Sequence, residues 1–207
     1  MIEPYYSHAG ITIYCADCRD VLPHLPKMDL CLTDPPYGIG RLMQGGKDTG
    51  HWNHLSSGNP WDSETPDLAQ SLAGADAAVV WGGNYFPLPP SRCWLVWRKL
   101  NAVPTQSDVE LAWTSVDACA RLFESPSGGA YFRHHPTQKP LALMKWCLSL
   151  FPDAKTVLDP YCGSGTTLVA AKSMGLTAIG IELHEPYAEI AAKRLSQEVF
   201  DFSEAQL

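Results

Sequence analysis

The chain has 207 residues, a formal net charge of −7 and seven cysteines, with 45% hydrophobic and 18% charged residues. That suffices for one α/β domain with a real core and is too little for two large ones. No apolar run approaches the roughly 20 residues of a membrane helix, and the odd, scattered cysteines do not read as a secreted disulfide framework.

The N-terminal stretch MIEPYYSHAG has neither the basic start nor the apolar core of a signal peptide, so the expected compartment is the cytoplasm. The acidic balance argues against a dedicated nucleic-acid binder. Its distribution softens that: residues 91–145 carry Arg92, Arg98, Lys99, Arg121, Arg133, Lys139 and Lys145 against Asp108, Glu110, Asp117 and Glu124, which leaves room for a locally basic face.

In chain order, ITIYCADC (11–18) opens with apolar alternation and reads as a strand. MDLCLTD (28–34) reads as a buried strand ending at Asp34. Residues 38–66 are rich in Gly, His, Asn, Ser and Trp without periodicity, and a loop of that length is usually functional or disordered. DLAQSLAGAD (67–76) has helical spacing, and AAVVWGG (77–83) is a strand stopped by glycines. CWLVWRK (93–99) and VELAWTS (109–115) are strands that could pair as an antiparallel hairpin at the sheet edge. PLALMKWCLSLF (140–151) is a helix with Pro140 near its start. The remainder reads strand, glycine turn and helix (155–175), strand (177–183) and terminal helix (185–197). The alternation predicts a single α/β domain: a Rossmann-like, doubly wound, mostly parallel sheet with an antiparallel edge hairpin.

Two stretches stand out. In TDPPYGIG (33–40), two prolines end a strand, since neither its interior nor a helix interior tolerates them. Asp34, Pro35, Pro36 and Tyr37 therefore set a carboxylate, a proline carbonyl and an aromatic ring stiffly at a strand end, suited to a flat polar ligand. In VLDPYCGSGTTLVAAKSMG (157–175), a strand ends at Asp159, Gly163 and Gly165 permit a tight turn, and a helix begins near Thr166 whose N-terminal N–H groups favour negative charge. Glu182 ends the next strand, where an acid suits ribose hydroxyls. The third glycine of a dinucleotide fingerprint and the Gly-Lys-Ser/Thr ending of a phosphate loop are both missing, so a purely structural turn is the competing reading of this segment taken alone.

Taken together, DPPY (34–37), LDPYCGSGTT (158–167) and HPTQKP (135–140) resemble the S-adenosylmethionine-dependent DNA amino-methyltransferases of the N4-cytosine/N6-adenine family. The catalytic motif precedes the cofactor motif, which is the β-class order. WGGNYF (81–86) and ELAWTS (110–115) also fit, and the resemblance covers most of residues 11–195. Protein-glutamine methyltransferases and several RNA adenine methyltransferases place the cofactor motif first and fit less well.

The resemblance implies a catalytic set of Asp34, Pro35, Pro36 and Tyr37, and S-adenosylmethionine as cofactor. It implies cofactor contacts from Asp17 (to the adenine), Thr137 and Lys139 (to the methionine carboxylate), Asp159, Tyr161, Gly163, Ser164, Gly165, Thr166, Thr167 and Glu182. Ala16 replaces the family's usual glycine before Asp17, and Tyr161 stands where Phe is usual. It also implies DNA as partner, methylation of a flipped base, and adenine N6 ahead of cytosine N4, because Ser is commoner than Asp at the first motif position in cytosine enzymes. The rival from another class is a binding module that keeps the fold without the chemistry.

The family's target-recognition region is short here, residues 116–134. Either residues 38–66 read DNA, or a homodimer supplies the surface, or sequence specificity is low. The compact size suggests a stand-alone phage or prophage enzyme. No metal is expected: Cys15 and Cys18 form a CxxC with no second pair at zinc spacing, and His51 and His54 lack the glutamate of a zincin.

Overall fold

The computed structural model describes residues 2–39, 65–102, 107–126 and 138–197. Within them the strands are β1 (Tyr6–His8), β2 (Ile11–Cys15), β3 (Met28–Thr33), β4 (Ala75–Trp81), β5 (Trp94–Lys99), β6 (Val109–Thr114), β7 (Arg121–Ser125), β8 (Thr156–Asp159) and β9 (Thr177–Glu182). The helices are α1 (Cys18–Val21), α2 (Ala69–Ala73), α3 (Leu141–Ser149), α4 (Thr166–Ser173) and α5 (Glu185–Ser196).

All the strands join one sheet in the order β1-β2-β9-β8-β3-β4-β6-β5-β7. Its centre, β2-β9-β8-β3-β4, is parallel throughout. β6 runs antiparallel to both β4 and β5, and β1 antiparallel to β2.

The period-2 pattern sorts side chains onto two faces. Leu30 and Leu32 of β3, with Val79 and Trp81 of β4, point into a core completed by Leu143 and Cys147 of α3, Leu168 of α4, and Ala188, Ala191 and Leu195 of α5. Cys31 of β3 and Ala78 and Val80 of β4 point the other way, against Cys18 and Val21 of α1 and Leu68 beside α2. Helices on both faces satisfy the need of a parallel sheet to be covered twice. α5 lies close because its inward positions are small: Ala188 and Ala191 are fully buried and Leu195 is 1% exposed.

β5 and β6 pair antiparallel as expected, but they are not the edge. β7 adds to β5 in parallel and takes that place. RLFES gives little apolar alternation to read, with Arg121, Leu122 and Glu124 exposed, as suits an edge strand. Of the stretch 38–66, residues 40–64 lie outside the described residues, as do Thr137, Arg133 and His134. No helix among the described residues is long and apolar enough to cross a membrane.

The basic side chains of 91–145 are largely engaged internally. Arg92 pairs with Asp117 at 3.3 Å, Arg98 with Glu124 at 2.9 Å, and Lys99 with Glu110 at 2.6 Å.

Candidate active site

In a parallel sheet, ligands bind beyond the carboxyl ends of the strands. Here β2, β9, β8 and β3 are neighbours, so the residues at or just past their ends share one rim: Asp17, Glu182, Asp159 and Asp34. A cleft of about 470 Å³ runs along it, from Asp17 and Cys18 past Glu182, Gly163 and Tyr161 to Asp34, Pro36 and Lys139. Ser164, Thr166 and Thr167 also line it. Gly165 is the residue before α4, at φ +78°.

The glycine-turn end is held by backbone hydrogen bonds. Glu182 is 9% exposed, and its carboxylate accepts from the Gly163 N–H at 2.9 Å and the His184 N–H at 2.8 Å. Burial raises its pKa and those N–H groups oppose the rise. Gly163 sits at φ +51° with open space where a side chain would begin, so the turn presents bare backbone to the cleft. That cradle fits a ligand lying close along the chain.

Arg194 of α5 braces the turn from behind, donating to the Ser164 carbonyl at 2.5 Å and approaching the Ser164 and Thr166 hydroxyls at 3.2 Å each. At the far end, Asp17 caps α1 through the Arg19 N–H at 2.9 Å and pairs with the Arg19 guanidinium, which holds its carboxyl below the usual range. Cys18 donates to the Tyr161 hydroxyl at 3.5 Å, and both CxxC cysteines are free thiols. Among the described residues no group of His, Cys, Asp and Glu side chains is placed to hold a metal.

Asp159 lies at the floor, 3% exposed. Burial pushes its pKa up to about 6 despite hydrogen bonds from Thr167, Thr33 and the Tyr161 N–H. The Thr33 hydroxyl donates to it at 2.7 Å.

The Asp34 end is held by side chains. The Tyr37 hydroxyl donates to Asp34 Oδ1 at 2.5 Å, and Lys139 Nζ donates to Oδ2 at 2.6 Å. The same ammonium is 3.1 Å from the Tyr37 oxygen and 3.0 Å from Glu110 Oε2, while Lys99 takes Glu110 Oε1 at 2.6 Å. Burial pushes Asp34 up and Lys139 pulls it back. Burial works against the Lys139 charge, yet Asp34, Tyr37 and Glu110 hold its pKa well above the ordinary value.

Tyr37 stacks on Tyr85 with ring centroids 5.0 Å apart and planes at 16°, and its ring covers Gly82. A Cβ at Gly82 would lie 2.1 Å from that ring, so glycine is required there. Tyr85 is 45% exposed beside the site.

The structure thus brings Asp17, Asp34, Pro36, Lys139, Asp159, Tyr161, Gly163, Ser164, Thr166, Thr167 and Glu182 onto one cleft. Pro35 is buried between Asp34 and Pro36. Sequence reasoning missed Glu110, Lys99, Arg194 and Tyr85. A carboxylate inside the apolar run VELAWT was the available signal for Glu110. Arg194 gave none, since a basic residue in the last turn of a helix is ordinary.

A rim of acids over a glycine turn in a mostly parallel sheet defines a Rossmann-like methyltransferase fold. The solved structures agree. The M1.HpyAVI–SAM complex superposes with a TM-score of 0.60 at 24% identity, covering 90% of this chain and all of that one. PvuII DNA methyltransferase (cytosine-N4-specific) gives 0.64 at 18% identity, covering 95% and 90%.

The sequence comparisons narrow the class. Residues 88–193 match the N6/N4 methyltransferase family model described as DNA methylase. "Putative methylase YubD" of Escherichia coli (strain K12) is 47% identical, covering 87% of this chain and 88% of its own. Type II methyltransferase M2.DpnII of Streptococcus pneumoniae is 27% identical, covering 96% and 94%. The chain belongs to the S-adenosylmethionine-dependent N6/N4 DNA amino-methyltransferase family.

Proposed function

We propose that the chain transfers a methyl group from S-adenosylmethionine to the exocyclic amino group of a flipped DNA base, with adenine N6 as the target. The observation that carries this reading is that Asp34 and the glycine turn open onto the same cleft. A purely structural turn would not need a carboxylate-bearing strand end beside it.

When bound, the cofactor supplies an electrophilic methyl on a sulfonium. The chain's own residues do the rest. Gly163 leaves the backbone bare against the cofactor. Glu182 has lone pairs left for ribose hydroxyls after accepting from Gly163 and His184. Asp17 closes the adenine end, and Tyr161, Ser164, Thr166 and Thr167 line the length between. Gly165 starts α4 and Asp159 forms the floor, with Thr137 assigned by resemblance alone.

An exocyclic amino nitrogen is a weak nucleophile because its lone pair is delocalised into the ring. Asp34 and the Pro35 carbonyl accept its two N–H groups and favour a more pyramidal nitrogen, with the lone pair aimed at the methyl. Pro35 and Pro36 fix these acceptors in advance. Bound S-adenosylmethionine would give its methyl to that nitrogen and keep the S–C electron pair on sulfur. The methylated nitrogen then sheds a proton, for which Asp34 is the nearest acceptor. The base must leave the duplex to reach this position. Tyr37 supplies an aromatic face once it gives up both the hydrogen bond to Asp34 and its stack on Tyr85.

The adenine assignment rests on Asp34, the acid that the family resemblance associates with adenine. The segment 38–66 follows the motif directly in sequence and is the candidate for DNA contact.

The test is incubation of the purified protein with labelled S-adenosylmethionine and mixed-sequence duplex DNA, followed by nucleoside analysis. N6-methyladenine is the expected product. N4-methylcytosine would move the target base. Cofactor binding without transfer to any DNA would make the chain a binding module.

A further inference from the structure

We propose that Glu110 and Lys139 are positioning residues for Asp34: Lys139 is the counter-charge of the Asp34 carboxylate, and Glu110 gives that ammonium a second partner, so that Asp34 can give up an oxygen to the incoming amino group. The inference rests on the proposed transfer at Asp34 and assigns two residues through which that site is tuned.

The geometry is a chain of alternating charge across four elements. Asp34 follows β3, Lys139 precedes α3, Glu110 lies in β6 and Lys99 ends β5. Lys139 hydrogen-bonds Asp34 at 2.6 Å and lies 3.0 Å from Glu110 Oε2, an ion pair that leaves this buried oxygen without a hydrogen bond and so open to the ammonium, while Lys99 is 2.6 Å from the other Glu110 oxygen. Lys139 and Lys99 are 6% and 11% exposed, so solvent screens them little. An ammonium bound to Asp34 alone would compete with the substrate for it. One shared between two carboxylates can swing toward Glu110 when an amino group arrives, without being stranded in a site where an unpaired charge is costly. Lys99 then keeps Glu110 from being a surplus buried anion.

The charged and titratable groups facing Asp34 are Lys139, Tyr37, Glu110 and, from β8, Asp159. Lys139 stabilises the ionised form of Asp34, while Glu110 and Asp159 oppose it. The signs for two variants are therefore opposite. Lys139→Met removes the favourable charge, and the pH below which Asp34 is protonated must rise. Glu110→Gln removes an unfavourable charge and leaves Lys139 to Asp34 alone, so that pH must fall. A residue that merely supported the fold would lower activity without moving the two limbs apart.

The experiment has two readouts. The first is the acid limb of the pH–kcat profile for DNA methylation. The second, independent of activity, is the ¹³C carboxyl titration of Asp34, assigned by its loss in Asp34→Asn. Lys139→Met should raise both, and Glu110→Gln should lower both. Each should reduce kcat at least about tenfold, and Glu110→Gln, which lies outside the cleft lining, should leave the dissociation constant of S-adenosylmethionine within about twofold. Lys139→Arg should recover part of the loss.

Titration of Asp34 at the same pH in wild type and Glu110→Gln overturns the inference, whether or not DNA is methylated. If Lys139→Met does not fold, Glu110→Gln decides alone, because it keeps the side chain's shape and one acceptor oxygen for Lys99 while removing the charge beside Lys139. Wild-type protein that methylates no DNA but shows the opposed Asp34 shifts would sink the transfer reading and leave the electrostatic coupling standing.

Discussion

The two ends of the cleft are built by different means. At the glycine turn, the fixed partners are backbone groups: the Gly163 and His184 N–H groups meet Glu182, and the Ser164 carbonyl meets Arg194. At the Asp34 end, the carboxylate's hydrogen-bond partners among the described residues are side chains, Tyr37 and Lys139. Backbone partners cannot rotate away, so the first end is set when the chain folds. Side-chain partners can exchange, so the second end can pass its acceptor to a substrate. A site that binds one ligand in a standing shape and admits the other only transiently needs that asymmetry.

The largest expected effect comes from the exchangeable end. Asp34→Ala should cut methyl transfer by roughly 10²–10³-fold or more while cofactor binding by calorimetry stays nearly unchanged. Near-normal turnover would mean that the two ends do not divide the work this way.

Asp159 sharpens the contrast through pH. It is an acid with its folded pKa pushed up to about 6 against an unfolded value near 3.8. The folded state therefore holds the proton longer than the unfolded one. Stability is favoured below the unfolded pKa and lost as pH rises through the folded one. Asp159→Asn should remove that slope, so that wild type loses about 2 kcal/mol relative to the variant between pH 4 and pH 7. Parallel stability curves from chemical denaturation across that window would contradict it.

At the backbone-held end, Glu182→Ala should weaken cofactor affinity by about 1.5–3 kcal/mol, the range for charge-assisted hydrogen bonds, with kcat at saturating cofactor much less affected. Unchanged affinity by calorimetry would return the turn to a structural role. The smallest effect should be that of Arg194→Met. It loosens the turn from outside the cleft, and about 1 kcal/mol of cofactor affinity should go, with a similar loss of thermal stability. A loss of transfer at saturating cofactor would show instead that the brace reaches the Asp34 end.

How much of this could be read from the chain depends on the range of the interaction. β3, β8 and β9 are short apolar runs with hard stops, and Asp34, Asp159 and Glu182 follow from where those runs end. Their adjacency follows from parallel pairing, which the βα alternation implies. β7 was not legible because an exposed edge strand carries no buried face. The Lys139–Asp34 pair joins residues 105 positions apart, and no local pattern encodes it. The resemblance sends Lys139 to the cofactor, whereas in the structure its ammonium is engaged by Asp34 and Glu110. Arg194 was hidden for the opposite reason, since it sits where helices ordinarily carry a base.

The Tyr37 hydroxyl on Asp34 has a kinetic meaning beyond its place in the network. On the proposed reading, it occupies the position that an amino donor has to take, and so acts as a tethered competitor at high local concentration. The measured affinity for a flipped base is then the intrinsic affinity multiplied by the fraction of molecules in which Tyr37 has let go. Water meets the same competitor and lacks the base's aromatic face to displace it. A ring leaving Asp34 to stack on a base gains an aromatic contact, whereas one leaving for water gains only a hydrogen bond to solvent. The tyrosine thus filters what reaches the carboxylate, and Tyr37→Phe should admit solvent and substrate alike.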